Sequence, residues 1–452
     1  MAVRPPHRQP WAPRQLRPLL LGLTLAGPLA MAWSSPATAA PPPAAASPGP
    51  AAVAASAAPV VALEPLLEPL RRRHGLPALA AALVVRGEIV AAGAVGVRRI
   101  DAPTPVTRQD RFHIGSDTKA MTALLAAMAV ERGRLRWQSP LAEVFPELAP
   151  SMAAGVGAVT LRQLLSHSSG IGDPPWAPLL LASRQPGNLD ALRRELVRQL
   201  VARPLLSPAG SRFHYGNANY VLAAAMLERL QGRTWEELIQ EQLFAPLGLR
   251  SAGLGPQSSP GLSDAPLGHR SLRERLQPML AGPHADNPPE LGPAGLVHLS
   301  VLDFARWAGW NAGGGRRGPA LVSPQTLQLL QTPVIAADPA APAGDHYALG
   351  WVVTRPAWAP GPLLHHMGSN TMNLAGIWVD PQRDVALVLT TNRAGPPADA
   401  ALEELAPLLH ARAASWLHPL PPRSAPQAAP GRSAGESPWP PPMNPASTGV
   451  PR

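Results

Sequence analysis

The segment Gly115-Ser116-Asp117-Thr118-Lys119 holds the residues best suited to covalent chemistry, and it opens an apolar run from Ala120 to Val130. Lys119 is the sole lysine among 39 lysine and arginine side chains, so basic usage elsewhere is arginine throughout. Residues i and i+3 share a helix face, which lets the Ser116 hydroxyl meet the Lys119 amine. A serine is a weak nucleophile until a base takes its proton, and a buried amine can shed its charge and become that base. Arginine stays protonated and cannot. For so short a motif, the plain alternative is a solvated lysine near a helix start.

Two later stretches add groups to this pair. Tyr215-Gly216-Asn217 contains one of only three tyrosines. A tyrosine that has lost its proton beside an ammonium can relay protons for Ser116, and the Asn217 carboxamide can orient both lysine and substrate. His366-Met367-Gly368-Ser369-Asn370 follows an apolar stretch that reads as a strand. Gly368 lets a substrate backbone lie close, and a backbone N–H there can form half of an oxyanion hole. The N–H of Ser116, at a helix N-terminus where negative charge is favoured, is the other half. His366 can donate to a substrate carboxylate or carbonyl. The neighbouring His365 does not make a metal site with it, because adjacent strand residues point to opposite faces. No metal and no cofactor are expected.

Apolar spacing gives the elements that must position these groups. A helix is expected over 63–74, followed by a hairpin of 78–85 and 89–97 around Arg86-Gly87-Glu88, buried on both faces. The middle of the chain reads as helices at 161–166, 190–201, 220–230, 235–243 and 301–308. Strand signals return at 347–354, 363–366, 374–379 and 385–391, and a last helix covers 398–417 with Pro407 inside it. The fold class expected is α+β: an antiparallel β-sheet built from both ends of the domain, flanked by terminal helices, with a large mainly helical insertion.

Composition narrows the function. The net charge is +10, but four arginines in 1–39, and three arginines against one glutamate in 419–452, account for more than half of it. The remaining basic residues are scattered among acids, which argues against nucleic acid as a partner. Residues 1–39 read as a signal peptide: arginines without acids, an apolar stretch from Leu19 to Trp33, then Ala37-Thr38-Ala39. The apolar stretch is short and broken by Pro28, so no stable membrane anchor is expected. The absence of cysteine excludes a lipid-anchored lipoprotein, disulfides and thiolate metal sites. The protein is expected to be exported, periplasmic or secreted. Residues 40–60 read as an Ala/Pro-rich linker, 61–418 as the folded domain and 419–452 as a Pro-rich disordered tail.

The order Ser-x-x-Lys, Tyr-x-Asn and His-x-Gly at 116, 215 and 366 resembles the serine β-lactamase and penicillin-binding-protein superfamily, in the branch with class C β-lactamases, D-amino-acid peptidases and related carboxylesterases. The likeness extends to Leu164-Leu165-Ser166-His167-Ser168-Ser169-Gly170, to Pro293-Ala294-Gly295-Leu296 with Ser300 and Asp303, and to Leu349-Gly350-Trp351. It implies a β-lactamase/transpeptidase-like fold in which Ser116 is acylated, Lys119 and Tyr215 transfer protons, and Asn217 orients the substrate. It also implies that the N–H groups of Ser116 and Ser369 bind the oxyanion, that His366 stands where relatives keep lysine, and that His167 is scaffold. Which of Lys119 and Tyr215 is the base stays open, since coupled groups titrate as a pair. A neutral histidine attracts a substrate carboxylate less than lysine does, and Met367 replaces a small hydroxyl residue. Those departures favour an esterase, amidase or peptidase over an efficient β-lactamase. The partner expected is a small-molecule or peptide substrate of the kind cell walls supply. The alternatives are a catalytically silent member that binds such peptides or a protein, and a D,D-peptidase or transpeptidase.

Overall fold

Residues alternate across a strand, so an apolar run without polar interruptions must be covered on both faces. The computed structural model, which describes residues 59–175, 189–273, 275–282 and 285–417, shows this for 78–85. Ala78, Ala80, Ala82 and Val84 face one hydrophobic core, and Leu79, Ala81, Leu83 and Val85 face another. The expected signal peptide, nearly all of the linker and the Pro-rich tail lie outside the described residues.

The main sheet contains β1 (Val61–Ala62), β2 (Ala78–Val85), β3 (Glu88–Arg99), β4 (Ile335–Ala336), β5 (His346–Tyr347), β6 (Val352–Thr354), β7 (Leu363–Ser369), β8 (Leu374–Asp380) and β9 (Val385–Thr391). Their order is β1-β3-β2-β9-β8-β7-β6-β5-β4, with Ala102–Pro105 added beside β3. The antiparallel β2–β9 pair, from Leu79↔Thr391 to Val85↔Val385, joins the two ends of the folded region in the middle of the sheet. One correction applies to the expected antiparallel sheet: β1 runs parallel to β3. Helix Glu64–Arg73 returns the chain into β2, and the hairpin then turns β3 back to the direction of β1.

Helices Glu64–Arg73 and Pro396–Arg412 cover one face through Leu67, Leu70, Leu402, Leu405 and Leu409. Helix Val301–Ala312 covers the other through Phe304, Trp307 and Ala308, in the core shared with the helical insertion. Within that insertion, every residue from Thr118 to Ala129 of helix Thr118–Glu131 is buried. A helix that is apolar all round belongs inside a protein, and this one takes Lys119 with it. The solvated-lysine alternative therefore does not hold.

Sequence and structure differ where segments are short. The strand expected over 347–354 is two pieces, β5 and β6, separated by a tight turn in which the Ala348 N–H donates to Trp351 O (2.8 Å). A small sheet of Arg111–His113, Val297–Ser300 and Gly253–Leu254 was not foreseen, and neither was helix Pro324–Gln331. Strands of two to four residues are too brief for alternation to register. The small sheet matters because Ile114 N–H donates to Val297 O (3.0 Å) at its edge, directly before the turn that carries Ser116.

Candidate active site

The turn Gly115–Asp117 leads into helix Thr118–Glu131, and side chains hold both backbone groups of Gly115. Its N–H donates to His113 Nδ1 (3.1 Å), and its C=O accepts from Thr118 Oγ1 (2.7 Å). The Gly115 C=O and the Ser116 N–H belong to one planar peptide, so the threonine also orients that N–H. Across from it lies Gly368 of β7. A Cβ on Gly368 would stand 1.8 Å from Ile114 O and 2.7 Å from Ser116 N. Gly115, at φ +51°, is equally constrained: a Cβ there would stand 2.3 Å from Ser369 N. Only glycines allow the two backbones to touch, and the contact brings the nitrogens of Ser116 and Ser369 to its two sides. Two such N–H groups are what an acyl-transfer oxyanion requires.

Lys119 Nζ lies 2.9 Å from Ser116 Oγ, 2.8 Å from Asn217 Oδ1 and 2.7 Å from Ala294 O. Asn217 Oδ1 and the carbonyl of Ala294 can only accept, so two N–H bonds go to them. The third position faces a hydroxyl, which can donate. An ammonium donating to all three oxygens and a neutral amine accepting from the Ser116 hydroxyl both fit this arrangement. Burial pushes the Lys119 pKa down to about 7, against the opposing pull of Asp173 and Asp117.

Asn217 opens helix Asn217–Gln231. Asp173 Oδ1 accepts from Ala218 N–H (2.8 Å) at the same helix start, where a carboxylate is favoured. Tyr215, just before this helix, is half-buried, with its ring 4.9 Å from Lys119 Nζ. Desolvation raises the Tyr215 pKa above the ordinary tyrosine value, outweighing its hydrogen bond with Ser116. Its hydroxyl therefore keeps its proton at neutral pH.

All three tyrosines of the chain converge on His167. Its ring centroid lies 4.4 Å from that of Tyr215, 5.2 Å from Tyr220 and 4.7 Å from Tyr347. His167 Nδ1 takes the N–H of Gly216 and faces Asn219 Nδ2, each at 3.3 Å. Burial, reinforced by Lys119, holds this histidine well below its usual pKa, so it is neutral.

His366 is buried as well. Its Nε2 lies 3.2 Å from the Tyr347 hydroxyl, and its Nδ1 lies 2.9 Å from Met367 O and 3.6 Å from Asp117 Oδ1. Burial, followed by the nearby Lys119, pushes its pKa down to about 3. With both nitrogens engaged inside the protein, the ring offers no hydrogen bond to a substrate in this conformation. The buried Asp117 is held well above the usual carboxylate range by desolvation.

Lys119 and Tyr215 thus both bond Ser116, Asn217 holds the amine, and Gly368 and Ser369 abut the Ile114–Ser116 backbone, while His366 is buried beside Tyr347 and Asp117. Thr118 and Asp173 join the site without having been singled out in the sequence. The available signal for Asp173 was an acid following Ser169-Gly170 in a glycine-rich loop; Thr118 had none beyond its place in the turn. Among the described residues, no group of three or more His, Cys, Asp or Glu is placed to hold a metal ion.

A serine–lysine pair set between a mixed sheet and a helical insertion defines a class of serine hydrolases, and comparison places the chain within it. The chain belongs to the Beta-lactamase family, whose sequence profile matches residues 63–446. It is 27% identical to penicillin-binding protein 4 of Amycolatopsis lactamdurans over 332 residues, 72% of this chain and 82% of that protein. It is also 27% identical to the unguisins hydrolase ungD of Aspergillus violaceofuscus over 226 residues, 47% of this chain but only 38% of that protein. Among solved structures, the octameric penicillin-binding protein homologue from Pyrococcus abyssi superposes with a TM-score of 0.64 at 25% identity, covering 77% of each chain.

Proposed function

We propose that this protein is an exported serine hydrolase that cleaves an ester or amide through an acyl-enzyme on Ser116. The observation that carries the reading is the placement of the buried Lys119 amine, lowered in pKa to about 7, at 2.9 Å from the Ser116 hydroxyl; once deprotonated, its lone pair can take the Oγ proton. Lys119 takes the Oγ proton as Oγ attacks the carbonyl carbon, and the resulting oxyanion sits between the N–H groups of Ser116 and Ser369. Tyr215, protonated at neutral pH, donates to the departing alcohol or amine, and the Lys119 ammonium replaces that proton. Water then attacks the acyl-enzyme with the same base, releasing the acid and free Ser116. Lys119 is the base in this scheme, and Tyr215 is the acid.

The substrate is a small molecule or peptide lacking a carboxylate next to the scissile bond, because His366 is neutral and buried where a lysine would attract one. The reading takes 61–418 as the hydrolase domain and 1–39 as an export signal, so the enzyme works in the periplasm or the medium. A second reading, a D,D-peptidase, is favoured by the name of the Amycolatopsis relative. Intact-protein mass spectrometry after exposure to a fluorophosphonate, and separately to a penicillin, tests both, with Ser116→Ala as control. The reading requires one fluorophosphonate adduct, lost in the variant, and no durable penicillin adduct. A durable penicillin adduct selects the peptidase, and no adduct from either reagent leaves a silent binding protein.

A further inference from the structure

Beneath the nucleophile lies a polar network with no part in the proton transfers above. His113 is fully buried. Because its Nδ1 accepts from the Gly115 N–H (3.1 Å), its proton sits on Nε2, which lies 3.0 Å from Oδ1 of the buried Asp286. The same Asp286 oxygen accepts from Asn370 Nδ2 (3.1 Å) and from Asn287 N–H (2.7 Å). Asn370 Oδ1 in turn takes the N–H of Met372 (3.3 Å), and both the N–H and Nδ2 of Asn373 (3.0 Å each). Asn373 Oδ1 accepts from Gln257 Nε2 (2.9 Å), and its C=O from Ser369 Oγ (2.7 Å).

The path thus runs from the peptide before Ser116, across the close but not hydrogen-bonded His113–Asp286 contact, to the loop that begins at Ser369. Thr371, within that loop, holds φ at +72°, a conformation that a β-branched residue adopts only when its surroundings impose it. The glycine contact between the two segments is close but has no side chains to interlock. It sets how near the backbones lie, and does not by itself resist sliding. The buried His113–Asp286 contact, with Asp286 hydrogen-bonded to Asn370 and Asn287, supplies that restraint.

We propose, on the basis of the acyl-enzyme reading, that His113 and Asp286 are positioning residues. Through Asn370 they lock the Ser116 segment and the Ser369 segment in the register at which both N–H groups reach one oxyanion. Among the described residues of this path Asp286 is the one that touches both sides, so cutting it lets the halves slip while the glycine contact persists.

The test measures the rate and the final stoichiometry of fluorophosphonate labelling of the mature chain by intact mass. Asp286→Leu removes the acceptor while keeping the branched outline of the side chain, and Asp286→Asn keeps an oxygen for both His113 and Asn370. A misaligned hole slows attack without removing the nucleophile. Asp286→Leu is expected to reach one adduct per chain at a rate about 10- to 100-fold below wild type. Asp286→Asn is expected to stay within about threefold of wild type. A merely structural role would lower the final stoichiometry and leave the rate of the folded fraction unchanged, which overturns the proposal. So does Asp286→Asn slowing as much as Asp286→Leu. Should Asp286→Leu not fold, Asp286→Ser makes the same cut with a smaller polar side chain and is judged by the same rates. If wild type itself does not label, the acyl-enzyme reading fails and this inference with it; a labelled wild type beside an unaffected Asp286→Leu sinks the inference alone.

Discussion

Adding one methyl group at Gly368 should disable the enzyme while leaving it folded. The new Cβ would lie 1.8 Å from Ile114 O, whereas real Cβ contacts essentially never fall below 3.0 Å, so the two segments must part by about 1.2 Å. A hydrogen bond of ordinary length stretched by that amount is lost. The oxyanion then keeps one N–H of two, and removal of a single oxyanion donor costs roughly 10²- to 10³-fold in rate, or about 3–4 kcal/mol of barrier. Because every clashing atom is backbone, the strain in the folded state is at or above the roughly 1–3 kcal/mol of overpacked side-chain sites. Gly368→Ala should therefore unfold cooperatively at a somewhat lower denaturant concentration and label with a fluorophosphonate at least 100-fold more slowly than wild type. A folded variant that labels within about threefold of wild type would show that the Gly368 contact does not set the oxyanion geometry.

Other outcomes follow from the charges around Lys119. Because the reactive form is the neutral amine, the labelling rate of wild type should rise with pH through about 7 and be lost as pH falls below it, while Lys119→Arg should fall by at least about 10³-fold at every pH. Asn217→Asp places a carboxylate on the amine contact of 2.8 Å, which stabilises the ammonium; the same limb should move up by about 1–3 pH units, so activity lost at pH 7 returns at higher pH. Tyr215→Phe removes the leaving-group acid, so hydrolysis of an amide should drop by roughly 10²- to 10⁴-fold, while a p-nitrophenyl ester, whose leaving group needs no proton, should lose much less. Equal losses on the two substrates would remove Tyr215 from the acid role.

How far the sequence reaches can be seen residue by residue. Ser116 and Lys119 are three positions apart on one helix, and local geometry alone brings them together at 2.9 Å. The apolar runs 78–85 and 385–391 carry both faces of the sheet in their composition, because strand alternation is a property of any extended chain. Tyr215 and Asn217 were identified by motif, and the fold delivers Asn217 to the lysine amine from 98 residues away. Asp173, Thr118, His113 and Asp286 gave no comparable signal. Each acts through a partner that only chain folding brings near, as Asp286 meets Asn370 across 84 residues. His366 shows the same limit from the other side: the sequence placed it at the end of a strand, whereas β7 continues through it to Ser369, and whether its ring faced substrate or core was not readable.

Residue types and local periodicity thus determined that a serine, a lysine and a tyrosine of suitable chemistry exist, and that both ends of the domain form strands. The tertiary structure decided their protonation and alignment. Burial lowers the lysine to about 7 and raises the tyrosine above its ordinary value, and two glycines let the Gly115–Ser116 and Gly368–Ser369 backbones touch. Desolvation and close approach are sums over many distant neighbours, and no short window of sequence contains them.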